Sequence, residues 1–341
     1  MIAAPMFQVN NPALERKPTL SLSPIYSLIA KDMQAMDEVI RLRLHSDVPL
    51  VKQIAEYIIA SGGKRMRPAL LLIASGAAGY AGKHHHELAA VVEFIHTATL
   101  LHDDVVDESS LRRGRETANA HFGNAASVLV GDFLYSRAFQ MMVSVGNMRI
   151  MEVLSEATNI IAEGEVMQLM NCNNADIDLP QYLQVVRYKT AKLFEAAARL
   201  GAILGNSSAE VEQGLADYGM HLGTAFQIVD DVLDYSGEEG AIGKHLGDDL
   251  AEGKPTLPLI HVLKHGNPAQ SALVRTALEQ GGRDTFAEIM EAVQQTGALD
   301  AAMSVARDEA EIARKAVSRL PDTQYREALL QFAAFAVERR H

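Results

Sequence analysis

The eleven prolines are spaced so unevenly that they set the fold class: none falls between Pro68 and Pro180, and none between Pro180 and Pro255. A proline inside a helix costs about 3 kcal/mol, so these spans are where long helices can run. Ala, Leu, Glu and Met fill them. Asn-Gly hairpin signals and alternating Val/Thr runs are missing. The pattern predicts an all-α fold, and no linker divides it. Helices are expected over 24–45, 48–60, 69–79, 87–107, 125–145, 149–170, 180–204, 208–235 and 256–264, with a solvated outer helix in the tail at 302–319. Residues 1–19 carry Pro5, Pro12 and Pro18 and read as a flexible extension, leaving 20–341 as one all-helical domain.

Composition excludes some classes of function. With 31 basic and 43 acidic residues the net charge is −12, without the basic stripe of a nucleic-acid binder. Cys172 is the single cysteine, so no intrachain disulfide can form and a reducing compartment is expected. No secretory signal and no run of eighteen apolar residues occurs. The expectation is a cytoplasmic protein with no transmembrane segment.

Two similar strings carry the chemistry. Asp103-Asp104-Val105-Val106-Asp107 closes the apolar helix 87–107, and Asp230-Asp231-Val232-Leu233-Asp234 closes 208–235. The first and last Asp of each are four apart, hence on one helix face at about 5–6 Å. Carboxylates this close repel one another unless a cation intervenes, and acid at a helix C-terminus opposes the dipole. One such string is equally well read as a solvated helix end; two, each behind an apolar helix, point to a use. Facing each other they would cage hard divalent cations such as Mg²⁺, which takes one or two carboxylates plus phosphate oxygens.

Basic residues supply the complement. Gly62-Gly63-Lys64-Arg65-Met66-Arg67-Pro68 is a turn that predicts a helix starting at Pro68, and a helix N-terminus beside Lys64 and Arg67 suits a diphosphate. Arg112-Arg113 follows the first acidic string, and Lys189-Thr190 lies on the helix 180–204. Each pair alone is more simply read as surface. Together with the carboxylates they describe two anion sites, one through metal and one through basic side chains. A His on an apolar helix is ordinarily a core residue, but His96 stands two turns before Asp103 on the same face. The run His84-His85-His86 reads as a solvated helix start, because adjacent side chains splay around a helix.

These stretches (62–68, 100–114, 123–139, 162–170, 189–197, 223–235 and 247–258) resemble the trans-isoprenyl diphosphate synthase family, in its bacterial long-chain branch that serves the ubiquinone side chain. The resemblance runs from about residue 25 to the end. It implies a large single-domain helical bundle of the isoprenoid synthase type with a central active-site cavity, and a Mg²⁺-dependent prenyltransferase with two or three ions per site, joining isopentenyl diphosphate repeatedly to an allylic diphosphate. Lys64, Arg67, His96 and Arg113 would then hold isopentenyl diphosphate. Arg112, Lys189, Thr190, Gln227 and Lys244 would contact the allylic diphosphate, with Lys189, Thr190 and Gln227 steadying its departure. Asp103, Asp107, Asp230 and Asp234 would make up the metal site, the first three as direct ligands and Asp234, with Asp104, in support. A growing tail would pass Ala98 and Thr99, one turn before Asp103, toward a floor near Phe139, Met141 and Met142. A homodimer is implied as well. Two rivals share parts of this pattern: a terpene cyclase, which would leave Lys64, Arg67 and Arg113 idle, and a non-catalytic subunit, which would be expected to have lost charged residues.

Overall fold

A computed structural model describes residues 21–60, 62–112, 114–236 and 246–339. The expected extension over 1–19, and Arg113 and Lys244, lie outside the described residues.

The chain is helical almost throughout. In order the helices are α1 (Ser23–Leu28), α2 (Ala30–Arg43), α3 (Pro49–Ala60), α4 (Met66–Ala77), α5 (His84–Val106), α6 (Ala118–Phe122), α7 (Asn124–Val145), α8 (Met148–Asn171), α9 (Leu179–Val186), α10 (Lys192–Leu204), α11 (Ala209–Leu233), α12 (Asp248–Ala251), α13 (Leu257–His265), α14 (Pro268–Gln280), α15 (Phe286–Gln295), α16 (Ala298–Ala316) and α17 (Gln324–Glu338). Among the described residues the strand content is one antiparallel pair, β1 (Leu111–Arg112) and β2 (Arg115–Glu116).

Local chemistry explains the boundaries. Asp178 caps α9 in a reciprocal box with Gln181, and Asn267 caps α14 with Gln270 in the same way; each box pairs two N–H groups that a helix start leaves open. Ser208 caps α11, the longest helix, which runs unbroken to its aspartates. The start of α4 differs from expectation: the helix begins at Met66, and Pro68 is its third residue. The proline is still tolerated, since the first four N–H groups of a helix have no partner within it. Arg65 precedes it in the left-handed region (φ 47°), costing roughly 1 kcal/mol. Its side chain is held by Asp37 and Glu93.

The expected helix 24–45 is broken at Ile29 (φ −106°, ψ 17°). The tail is not a solvated outer helix: α16 turns Ala302, Ala306, Ala310 and Ala313 inward, and α17 buries Leu329, Phe332 and Ala333 completely. The small side chains let α16 pack closely on α11. Glu309 of α16 is itself buried and accepts hydrogen bonds from Arg187 and His221.

The main core surrounds α4, α5 and α10, where Ala69, Leu70, Leu71, Ile73, Leu88, Ala89, Phe194 and Leu200 are fully buried. Between α9 and α10 the helix widens into one π turn, Arg187–Ala191, with Lys192 N–H donating to Arg187 O. Glycines on both neighbours accommodate the bulge. A Cβ at Gly164 of α8 would stand 2.6 Å from Lys189 N, and one at Gly223 of α11 2.6 Å from Ala191 Cα. Backbone therefore meets backbone on both sides of the turn that carries Lys189 and Thr190.

Candidate active site

The ends of α5 and α11 are helical through both acidic strings: Asp107 N–H donates to Asp103 O (2.8 Å) and Asp234 N–H to Asp230 O (3.1 Å). The outer carboxylates of each string thus share a face. Asp103, Asp107, Asp230 and Asp234 all line one cavity of about 780 Å³. Lys64, Arg67, His96, Thr99 and Arg112 line the same cavity, as do Lys189, Thr190 and Gln227. Ala98 and Met142 do not; both are fully buried in the main core.

Each string is held by cations drawn from elsewhere in the chain. Lys189 bridges Asp103 (3.3 Å) and Glu165 of α8 (2.5 Å). Burial opposes its charge, but Asp103 and Glu165 outweigh that and raise its pKa. Lys254 reaches Asp107 (2.8 Å) and Glu252 (2.5 Å). Burial works against it too, and Asp249, Asp107 and Glu252 drive its pKa upward. Arg339 pairs with Asp230 (2.6 Å), donates to Phe226 O and lies 3.8 Å from the centre of the Phe226 ring.

The middle aspartates have other work. Asp104 is buried, and its Oδ1 accepts from Arg112 Nε (2.9 Å) and Nη2 (2.6 Å). Arg112 is thereby fixed at the cavity wall. Asp231 is also buried, accepting from Tyr182 Oη (2.6 Å) and Gln227 Nε2 (2.8 Å). Gln227 uses its other end to accept from Thr190 Oγ1 (3.0 Å). A chain of hydrogen bonds thus ties the π turn to the second acidic string.

Two turns before Asp103 along α5, Arg67 Nη1 stands 3.1 Å from His96 Nε2. A guanidinium can only donate, so Nε2 is the acceptor in this contact. Arg67 also lies over the Phe194 ring at 4.5 Å. Tyr26 donates to Lys64 O, the carbonyl that Pro68 cannot reach.

Two carboxyls are displaced furthest from their usual range. Burial, with Asp103 adding to it, pushes Glu165 up to about 8 against the opposing pull of Lys189. Burial and then Asp249 push Asp231 up to about 8. A raised acid binds its proton more tightly in the folded chain than in the unfolded one. Its stabilising contribution is complete below the unfolded value near 4 and is lost as pH rises through about 8. Metal-free protein is therefore expected to lose stability between pH 5 and 8, by up to about 1.4 kcal/mol per pH unit for each group. Urea unfolding in chelator should show Asp231→Asn with a shallower slope than the parent; equal slopes would contradict the assignment.

Sequence reasoning missed Lys254, Glu165 and Arg339. The first two fall inside the stretches 247–258 and 162–170 that carry the resemblance, so the signal was present without a role. Arg339 lies near the end of an Ala-rich helix and nothing local marks it. The histidine run departs from expectation. His84 is exposed, but His85 and His86 do not splay; their rings lie 3.9 Å apart and both reach Asp32 of α2. At the first turn of α5 the side chains lean back past the helix start, where α2 receives them.

Residues 48–295 match the polyprenyl synthetase family. Over 321 residues the chain is 54% identical to the octaprenyl diphosphate synthase of Escherichia coli (strain K12), covering 94% of this chain and 99% of that one. Among solved structures, a polyprenyl synthase from Caulobacter crescentus CB15, complexed with calcium and isoprenyl diphosphate, superposes with a TM-score of 0.92 at 42% identity over 95% of this chain and 100% of that one. A decaprenyl diphosphate synthase from Rhodobacter capsulatus gives 0.89 at 45% identity, covering 94% and 100%. No helix among the described residues is long and apolar enough to cross a membrane. Likeness of this extent, over a helical fold whose two acidic helix ends share one cavity, means that the chain belongs to the polyprenyl synthetase family.

Proposed function

We propose that this chain is a long-chain all-trans-polyprenyl diphosphate synthase, making octaprenyl diphosphate by adding isopentenyl diphosphate repeatedly to an allylic diphosphate such as farnesyl diphosphate. The carrying observation is the pairing, around one cavity, of two acidic helix ends with the cations Lys64 and Arg67 beside His96. One diphosphate calls for metal and the other does not; a terpene cyclase would have no use for the second. The product class rests on the Escherichia coli relative, an octaprenyl diphosphate synthase.

The donors of Asp103, Asp107, Asp230 and Asp234 are all carboxylate oxygens, a set that fits hard cations. These four would hold two or three Mg²⁺, which when bound would offset negative charge on the departing diphosphate. Lys189 and Arg112 add fixed positive charge on the same side, and the Thr190–Gln227–Asp231 chain keeps that wall in place. Once the allylic C–O bond breaks, the double bond of isopentenyl diphosphate attacks the allylic carbon. The proton then lost goes to the released diphosphate. Arg67, stacked on Phe194 and bonded to His96, orients isopentenyl diphosphate for that attack. Arg113 and Lys244 are assigned to the isopentenyl and allylic diphosphates respectively by resemblance.

Exposed Leu129, Val143, Met148, Val166 and Met170 on α7 and α8 support a homodimer. A cytoplasmic location and a role in supplying the ubiquinone side chain complete the reading. The test is incorporation of radiolabelled isopentenyl diphosphate by the pure chain with farnesyl diphosphate and Mg²⁺, with products resolved by chromatography. Expected are a dominant octaprenyl product and no turnover in excess chelator. No incorporation until a second protein is added would replace this reading with a non-catalytic subunit.

Thr99 lines the cavity, while Ala98 and Met142 sit in the core. We assign all three to the control of chain length. Ala98→Phe is expected to shorten the product distribution and Met142→Ala to lengthen it. Overpacking a buried site costs about 1–3 kcal/mol, so folding is checked by circular dichroism first. Unchanged product lengths in two folded variants would retire this assignment.

A further inference from the structure

The two ends of α5 carry different chemistry. Asp103 lies at one end; His85 and His86 lie in the first turn at the other, about 25 Å away along the axis. His86 Nε2 is 2.9 Å and His85 Nε2 3.2 Å from the same oxygen of Asp32, Oδ1. The three donor atoms lie within 4.8 Å of one another. In a tetrahedral zinc site, with bonds of about 2.0–2.2 Å, donors stand about 3.3–3.5 Å apart. The two nitrogen–oxygen distances, 2.9 and 3.2 Å, would need to lengthen by only a few tenths of an ångström. Exposure falls from 32% at Asp32 to 18% at His86 and 12% at His85, so the cluster is recessed with its open side at the carboxylate. The Tyr80 ring meets that of His85 edge-on at 5.4 Å and limits its rotation.

Two imidazoles and one carboxylate form a donor set for borderline divalent ions, whereas the all-oxygen carboxylates of the active site suit Mg²⁺. We infer that Asp32, His85 and His86 form a three-ligand site for one transition-metal ion of the zinc and cobalt class, its fourth position taken by solvent. The ion fastens the first turn of α2 to the first turn of α5. It takes no part in prenyl transfer, and the site stands whether or not the function proposed above is right.

Co²⁺ and Zn²⁺ are the probes, added to the full chain with millimolar Mg²⁺ present to occupy the aspartates. Co²⁺ should bind with one-to-one stoichiometry at micromolar concentration or below and give the visible absorption of a tetrahedral centre. Asp32→Asn, His85→Gln and His86→Gln should each weaken binding at least tenfold, and His84→Gln should leave it unchanged. Zn²⁺ should raise Tm in the parent and in His84→Gln but not in the other three. The Tm increment on adding metal is the quantity compared, so a change in metal-free stability does not obscure the result. Absence of saturable binding overturns the site. So does equal binding in all four variants, which would place the ion elsewhere. Loss in His84→Gln with none in Asp32→Asn would reduce the cluster to chelation by a histidine run, and also overturns it.

Discussion

Asp103→Asn is expected to lower kcat/KM by about 10³-fold, and Asp230→Asn by a similar factor, while both proteins remain folded. Loss of one group stabilising developing charge costs about 10²–10³ in the known cases, and each aspartate here would hold a dication rather than a single hydrogen bond. Asparagine nearly preserves the shape. Asp103 would keep a contact with Lys189, and Asp230 one with Arg339, so the change tests charge rather than packing. The double variant should fall little below either single one, because groups acting on one leaving group are not additive. Steady-state kinetics at saturating Mg²⁺ decide the matter; a loss under tenfold in either single variant would remove that carboxylate from the cage.

Lys189→Ala and Arg67→Ala should fail in different ways. Lys189 reaches Asp103 and Glu165 from the π turn, on the side assigned to the allylic leaving group. Its loss should cut kcat by about 10²-fold with little change in KM for isopentenyl diphosphate. Glu165, already inclined to hold a proton, would do so more firmly without the lysine, which limits the electrostatic cost to the fold. Arg67 meets His96, two turns before Asp103 along α5. Its loss should raise KM for isopentenyl diphosphate at least tenfold and spare kcat at saturation. The same kinetic signature from both variants would mean that the cavity has one diphosphate site rather than two.

Much of this was legible because it is local. Proline-free spans gave the long helices, and the four-residue spacing within each acidic string survived as helical hydrogen bonds. That the two strings serve one cavity could be expected from their repetition. What escaped depends on contacts across the chain. Arg339 meets Asp230 only because α17 folds back against the bundle, and Asp32 meets the histidines only because α2 lies against α5. The tail looked solvated since its Ala, Glu and Arg content averages out; burial of Glu309 depends on Arg187 and His221, residues remote in sequence. The left-handed Arg65 was equally hidden, since its side-chain partners Asp37 and Glu93 come from α2 and α5.

The π turn has a consequence for how this site can change. It offsets the phase of α10 from that of α9, so Lys189 points toward α5 and α8 while the next residue, Thr190, points toward α11. Point substitutions around it adjust strength. Loss of one residue would instead restore regular winding and swing both side chains away from their partners. Variation in this segment should therefore preserve its length even where its letters differ, with Gly164 and Gly223 as the spacers that keep the offset in place.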